Sequence, residues 1–320
     1  MSPRQITVLG ECVADAFAEP ASTSNELALR VLPGGGPANT AVALARLGTP
    51  ARFLARLSGD VFGRLFRAHL EASGVDLSSA VQAAEPSTLA VAELDAEGQA
   101  AFSFHAQNTA DWQWTAEELA RVDLSEAACV HTGSLALVQR PGAEAVEEFL
   151  AQAAPRATIS IDPNVRPLLV HPEVYRARLA HWCALADILR LSEDDLALLL
   201  PGTPPEQACD IWHAAGARLV VITRGADGVL ASLDGERIQV PAVATTVVDT
   251  VGAGDSFTAG LLHHLGVHGL LGGRLTELRL DDVAEACRFA VRVAALTCSV
   301  PGPNPPWRSQ LAQLATADGA

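Results

Sequence analysis

Short apolar runs alternate with amphipathic helical stretches along most of this chain, and that alternation limits the fold more than any other feature. The runs are Ile6-Thr7-Val8-Leu9, Ala128-Cys129-Val130-His131, Thr158-Ile159-Ser160-Ile161, Asp187-Ile188-Leu189-Arg190-Leu191 and Leu219-Val220-Val221-Ile222-Thr223. Residues 37–47, 62–72, 143–153, 174–186 and 206–215 have helical spacing, with Pro37 suited to a first turn and Gly48 to a C-terminal stop. Strands that are apolar on both faces need cover on both faces. The pattern therefore predicts an α/β fold, with a mostly parallel central sheet and helices on either side.

Two regions break the rhythm, residues 12–32 and 87–107. In the second, Leu89-Ala90-Val91-Ala92-Glu93-Leu94 and Ala101-Phe102-Ser103-Phe104 flank Asp95-Ala96-Glu97-Gly98, a hairpin signal with a glycine-containing turn. Together they predict a small β lid standing off the core, although an edge hairpin of the main sheet fits the same pattern. The expected organisation is a core from residues 1–11, 33–86 and 108–320, with the lid from 12–32 and 87–107. A lid sheet with open edges invites a homodimer; a monomer with the lid folded down is equally consistent.

The chain has 320 residues, and 49% are hydrophobic, enough to bury a substantial core. Its formal charge of −15 argues against nucleic acid as a partner, because a phosphate backbone attracts basic surfaces. No apolar run approaches the roughly 20 residues that a membrane span requires, and no cationic leader precedes an apolar stretch. Six scattered cysteines without a C-x-x-C pair read as reduced thiols, so a cytoplasmic location is expected.

The most chemically specific segment is Asp249-Thr250-Val251-Gly252-Ala253-Gly254-Asp255, which opens a helix at Ser256-Phe257-Thr258. A glycine-rich turn at a helix start offers unpaired N–H groups and the positive end of the helix dipole, which suits a transferring phosphoryl group. Asp255 stands where it can accept a proton from a substrate hydroxyl. A simple loop and cap is the competing reading for a lone Gly-x-Gly.

All seven residues match the second signature of the ribokinase-like (PfkB) sugar kinase family. The resemblance implies ATP-dependent phosphorylation, with Asp255 as base and the amides of residues 252–255 as anion hole; Gly252, Ala253 and Gly254 are thus site residues. Gly34-Gly35-Gly36-Pro37-Ala38-Asn39 resembles the first signature. There Gly35, Gly36 and Asn39 would meet sugar hydroxyls, helped by Asp15. Gly59-Asp60-Val61-Phe62-Gly63 is similar to a structural turn of the family. Thr223-Arg224-Gly225-Ala226-Asp227-Gly228 resembles its nucleotide loop, making Thr223, Arg224, Gly225 and Gly228 candidate ATP contacts. Residues 294–302 are similar to the adenine wall.

Asp162-Pro163-Asn164-Val165-Arg166 is similar to a segment of fructokinase-like members, which implies that Arg166 lies near the phosphates; a surface salt bridge is the alternative. Where many members carry Asn-x-x-Glu to arrange magnesium, this chain has Ser192-Glu193-Asp194-Asp195. Ser192 becomes a nucleotide contact, and Asp195 a candidate for Mg²⁺, with Glu193 and Asp194 as substitutes. Family behaviour also implies a monovalent cation such as K⁺ beside Asp249.

The acceptor is expected to be a neutral ketose such as fructose, because Ser192, the 162–166 segment and Thr109-Ala110-Asp111 are closest to fructokinase-like members. No Lys/Arg cluster stands ready for a second phosphate. Ribose, 2-keto-3-deoxygluconate or a nucleoside remain alternatives, as does a non-catalytic sugar or nucleotide sensor. His105 and His131 are either substrate contacts or structural.

Overall fold

The computed structural model describes residues 4–19, 25–94 and 100–311. The predicted hairpin turn at 95–98 lies outside the described residues. The N-terminal part runs β1 (Gln5–Leu9), β2 (Val13–Glu19), β3 (Ala28–Gly34), α1 (Gly36–Leu47), β4 (Ala51–Leu54), β5 (Arg56–Ser58) and α2 (Val61–Ala72). Then come β6 (Val81–Ala83), β7 (Leu89–Leu94), β8 (Ala100–His105), α3 (Ala116–Ala120), β9 (Ala127–Gly133), α4 (Ala143–Ala153) and β10 (Thr158–Asp162). The chain continues through α5 (Pro172–Leu185), β11 (Ile188–Ser192), α6 (Glu193–Leu199), α7 (Pro205–Ala215) and β12 (Leu219–Thr223). It closes with β13 (Val229–Leu233), β14 (Glu236–Val240), α8 (Ala253–Val267) and α9 (Leu280–Cys298).

Among the described residues, eight strands form the main sheet in the order β14-β13-β12-β11-β10-β9-β1-β4. From β4 to β12 the pairing is parallel, and β13 and β14 add an antiparallel edge. Alternate residues of each strand face opposite layers. Leu219 and Val221 join the core under α1, α8 and α9, while Val220 and Ile222 join the core under α4, α5 and α7. That two-sided burial is the physical reason the strands read as unbroken apolar runs. No described helix is long and apolar enough to cross a membrane. All six cysteines are free, and only Cys298 is partly exposed.

The second sheet has the order β3-β2-β7-β8 and is separate from the first, as the break in the sequence rhythm predicts. Its strand β3 runs to Gly34, two residues beyond the expected boundary at 32. The register aligns Asp15 with Ala90, and Ala90 with Phe104, in one cross-strand row. That row faces the cleft above the main sheet. Asp60 fixes the entry to β7. It caps α2 by accepting from Gly63 N at 2.8 Å, and it also accepts from Ser87 N and Oγ, each at 2.8 Å. The turn at 59–63 is therefore structural, as expected.

Candidate active site

The parallel strands end at one edge, and the sequence places Glu11, Asp162, Ser192 and Thr223 just at or beyond those ends. Open α/β sheets bind ligands there, because the loops leave a crevice with helix N-termini pointing into it. Here the crevice has two parts. One, of about 670 Å³, is lined by Asp15, Gly35, Gly36, Asn39, Asn164, Arg166 and Asp255, with Ala90 and Phe104 of the small sheet across from them. The other, of about 510 Å³, lies between Gly225–Val229 and α9. Its walls are Ala242, Val243, Val247, Phe257, Val291, Ala294, Ala295 and Cys298, apolar enough for a flat aromatic base.

The seam between the two parts is the N-terminus of α8. Gly252 has φ 77° and ψ 1° and is the third residue of a type II turn, closed by Ala253 N–H donating to Thr250 O at 3.1 Å. Only glycine takes that conformation cheaply, and a Cβ there would come within 2.8 Å of Pro303 Cβ. The turn corrects one expectation. The Ala253 N–H is spent inside it, so Ala253 is not a donor of the anion hole. Among the described residues, the N–H groups of Gly252, Gly254 and Asp255 meet no backbone carbonyl. They sit at the positive end of a 15-residue helix, an arrangement that favours an anion.

Asp255 occupies the first turn of that helix. Its Oδ2 accepts from Asn39 Nδ2 at 2.9 Å, and Thr40 Oγ1 donates to its carbonyl at 3.4 Å, so α1 aims the base. Asn39, expected on the sugar, uses one amide N–H on Asp255 and still lines the cleft with a second N–H and its Oδ1. Burial raises the Asp255 pKa to about 6, opposed by the Asn39 hydrogen bond; Asp162 raises it further, and Arg166 and Arg190 lower it. Near neutral pH the group is mostly ionised yet basic enough to take a proton. Gly36 is glycine because a Cβ there would lie 2.7 Å from Asn164 Nδ2 and 3.2 Å from Asp255 Oδ1. Asp15 stands against Gly34, where any Cβ would overlap its carboxylate. Its pKa is also raised to about 6 by burial, with Arg166 opposing and Asp255 adding to the rise.

Arg166 is exposed and forms no ion pair among the described residues, so the surface salt bridge does not describe it; it lines the acceptor part of the cleft. Thr223 and Arg224 line the cleft, and Gly225 begins a short 3-10 turn there. Arg224 N donates to Gly228 O at 2.8 Å. Gly228 has φ 83°, and a Cβ there would overlap the Val240 carbonyl. Ser192 and Asp195 line the cleft too, but they are turned on each other. Asp195 is the third residue of a capping box: it accepts from Ser192 N at 3.0 Å and Ser192 Oγ at 2.6 Å, and its Oδ1 accepts from Val165 N at 2.8 Å. These bonds leave Ser192 Oγ one acceptor lone pair and Asp195 Oδ1 another, which narrows the contacts expected of them. Glu193 and Asp194, beside them, are exposed and line the cleft. Asp249 ties two loops, accepting from Val251 N at 3.0 Å and Gly302 N at 2.9 Å.

His131 is structural. It is buried, its Nδ1 lies 3.0 Å from Ser160 Oγ, and burial pushes its pKa down to about 3. His105 is exposed and does not line the cleft. The Thr109-Ala110-Asp111 stretch lies behind the acceptor site. Asp111 accepts from Cys12 N at 2.9 Å and from Thr88 Oγ1 at 2.5 Å, which holds the start of β2. Two further groups stand at the site without a local sequence motif. Glu11 is buried with one carboxyl oxygen unpartnered and a pKa raised by burial to about 7. Arg190 lines both parts of the cleft, and the only sequence signal was a charge inside an otherwise apolar strand.

The model of the pfkB family carbohydrate kinases matches residues 3–310. A fructokinase of Rhizobium leguminosarum bv. trifolii is 35% identical over 281 residues, 87% of this chain and 85% of that protein. The crystal structure of a Xylella fastidiosa fructokinase with bound ATP superposes with a TM-score of 0.89 at 28% identity, covering 99% of each chain. A Vibrio cholerae fructokinase double mutant, crystallised with fructose, ADP and potassium ion, superposes at 0.79 with 26% identity over 94% of each chain.

Proposed function

The chain belongs to the pfkB family of carbohydrate kinases, and from that premise we propose that it phosphorylates a neutral ketose such as fructose on a primary hydroxyl. ATP-dependent sugar phosphorylation is the activity of the chain. The observation that carries the choice of acceptor is the charge of the acceptor cleft. Its lining sets five carboxyl groups, Asp15, Glu193, Asp194, Asp195 and Asp255, against three guanidinium groups, Arg166, Arg190 and Arg224, an excess of negative charge that disfavours a phosphate already on the sugar. The printed names of the relatives, fructokinases, agree with that charge.

In the transfer, the sugar lies between the small sheet and α1, held by Asp15, Gly35, Gly36 and Asn39, with Asn164 beside them. Asp255 takes the hydroxyl proton, the sugar oxygen forms its bond to the γ-phosphorus, and the bond from that phosphorus to the β-phosphate oxygen breaks, leaving ADP. The free N–H groups of Gly252, Gly254 and Asp255 hold the charge that spreads onto the phosphoryl oxygens. The base of the nucleotide fits the alanine and valine wall, with Thr223, Arg224, Gly225 and Gly228 along its phosphates and ribose.

The donor set fits a magnesium ion carried mainly by phosphates and water: no three acidic or histidine side chains converge among the described residues, and Glu193 and Asp194 stand exposed at the cleft. That ion would neutralise phosphate charge, with Asp195 fixing the backbone beneath it. A monovalent cation beside Asp249 would rigidify the loop that presents the anion hole; potassium is named with the Vibrio cholerae relative. Segments 12–32 and 87–107 would act as the lid that excludes water from the acceptor, carried by the core from 1–11, 33–86 and 108–320.

The test is ADP release with fructose, fructose 6-phosphate, ribose, 2-keto-3-deoxygluconate and adenosine. Fructose is expected to give the highest kcat/KM, at least tenfold above the others. Tight sugar binding with no turnover would replace the kinase by a sensor, and turnover confined to adenosine would make it a nucleoside kinase.

A further inference from the structure

Arg190 is a full charge in the interior of a strand whose other residues from Ile188 to Leu191 are completely buried. Burying a guanidinium is costly unless partners compensate it. Its Nη1 donates to Asp162 Oδ2 at 2.6 Å and its Nη2 to Thr223 Oγ1 at 2.8 Å, and the guanidinium lies 5.6 Å from the Phe257 ring centre. Its Nε meets no acceptor. These contacts tie β10, β11 and β12 together, and a purely structural ion pair would account for them.

Two further observations go beyond that account. Arg190 lines both parts of the cleft, and it shares this with Thr223, Gly225, Thr250 and Gly254. It therefore marks the seam that any group must cross in passing from the nucleotide side to the acceptor side. It also lies directly under the anion hole: a Cβ on Gly254 would be 3.0 Å from both Nη1 and Nη2. Gly254 has no left-handed φ, so the proximity of that guanidinium, not backbone conformation, is what its lack of a side chain accommodates. The guanidinium therefore lies close under the start of α8, where the Gly254 and Asp255 N–H groups meet no backbone carbonyl.

We propose that Arg190 is a further phosphate-contacting residue of the reaction, anchored by Asp162 and Thr223 so that its guanidinium meets the γ-phosphoryl group beneath the start of α8. The role differs from that of Arg166, which is exposed and unpaired at the acceptor side. A fixed guanidinium costs no reorganisation when charge develops, and its planar fork spans two oxygens. While the sugar oxygen–phosphorus bond forms and the bond to the β-phosphate oxygen breaks, Arg190 offsets negative charge without exchanging a proton; the proton goes to Asp255 and the bonding electrons leave with ADP. The inference rests on the phosphoryl-transfer reading of the α8 turn.

The experiment compares the wild-type chain with Arg190→Lys, Arg190→Met and the double variant Arg190→Met/Asp162→Asn, which removes both charges of the buried pair and so guards against misfolding from an orphaned carboxylate. Turnover is measured with the best acceptor, and ATP and adenosine affinities by calorimetry. The single and double methionine variants should lose on the order of 10³-fold in kcat. Their ATP affinity should fall at least about tenfold while adenosine affinity stays within about threefold, because adenosine has no phosphate for Arg190 to hold. Arg190→Lys should fall between. A double variant that regains turnover and ATP affinity to within about threefold of wild type would overturn the proposal and leave Arg190 as the counter-ion of Asp162. A wild-type chain that turns over no acceptor would sink the kinase reading instead, and the ratio of ATP to adenosine affinity would still decide whether Arg190 touches phosphate.

Discussion

The acceptor half of the cleft is lined by carboxyl groups, amides and a smaller number of arginines set on strand ends, loops and a helix start, whereas the nucleotide half is lined mainly by alanine, valine and a backbone turn. Around the acceptor, Glu11, Asp15, Asp111 and Asp255 all have pKa values raised to between about 6 and about 7, in each case chiefly by burial. The nucleotide half has no such cluster. The difference teaches what each half can recognise. Carboxylates short of solvent gain most from neutral hydroxyl donors and repel a second phosphate. The apolar half takes a base by burial and leaves phosphate recognition to the seam.

After the loss of Asp255 or Arg190 themselves, breaking the turn at the seam should cost most. Gly252→Ala forces a Cβ into a left-handed turn position against Pro303 and displaces the N–H groups on either side. We expect kcat to fall roughly 10²-fold, with fructose binding by calorimetry nearly unchanged. A variant that keeps its kcat would show that the turn geometry is incidental. Next, Asp15→Asn removes the charged acceptor on the small sheet. It should raise the KM for the sugar about 10–100-fold and leave the KM for ATP alone, since the loss of a hydrogen bond to a charged group has that scale. A rise in both constants would mean that the two halves are not separate.

The pH profile sharpens the contrast. Asp255 must be ionised to act, and its folded pKa is about 6, so kcat/KM should drop about tenfold per pH unit below pH 6. Asp15 titrates nearby and interacts with it, so the observed limb belongs to the pair. A flat profile down to about pH 5 would contradict the raised value. The smallest effect is on stability. The Glu11 pKa rises from 4.5 to about 7 on folding, so its contribution is fully present below pH 4.5 and is lost as pH rises through about 7. Glu11→Gln removes that dependence. Its Tm relative to wild type should improve by several degrees, about 5 °C, between pH 5 and pH 8, measured by thermal melts. An unchanged difference would mean that Glu11 titrates normally.

Much of this architecture was legible because two-sided burial leaves an unmistakable mark. Strands such as Leu219–Thr223 are apolar without alternation, and the small sheet showed as two apolar stretches flanking a glycine-containing turn. The turn at Asp249–Asp255 was legible too, since glycine at 252 and 254 and acid at 255 have few other uses together. What escaped depends on contacts distant in sequence. Nothing local shows that Ala253 N–H closes a turn, that Asn39 donates to a residue 216 positions away, or that Asp195 caps its own helix and holds Val165. Arg190 is not legible either, because a strand position gives no sign of which side chains lie under the next loop in space. His105 and His131 look alike in sequence for the same reason, and burial distinguishes them: His131 is buried and His105 exposed.

The central claim is that one carboxylate, at the seam of two unlike half-sites, makes transfer possible without holding either ligand. Steady-state turnover of Asp255→Asn, alongside calorimetric titration with fructose and with an ATP analogue, tests it most directly. We predict that kcat falls on the order of 10³-fold or more while both affinities stay within about threefold of wild type. Turnover within about tenfold of wild type, with both ligands still bound, would contradict it.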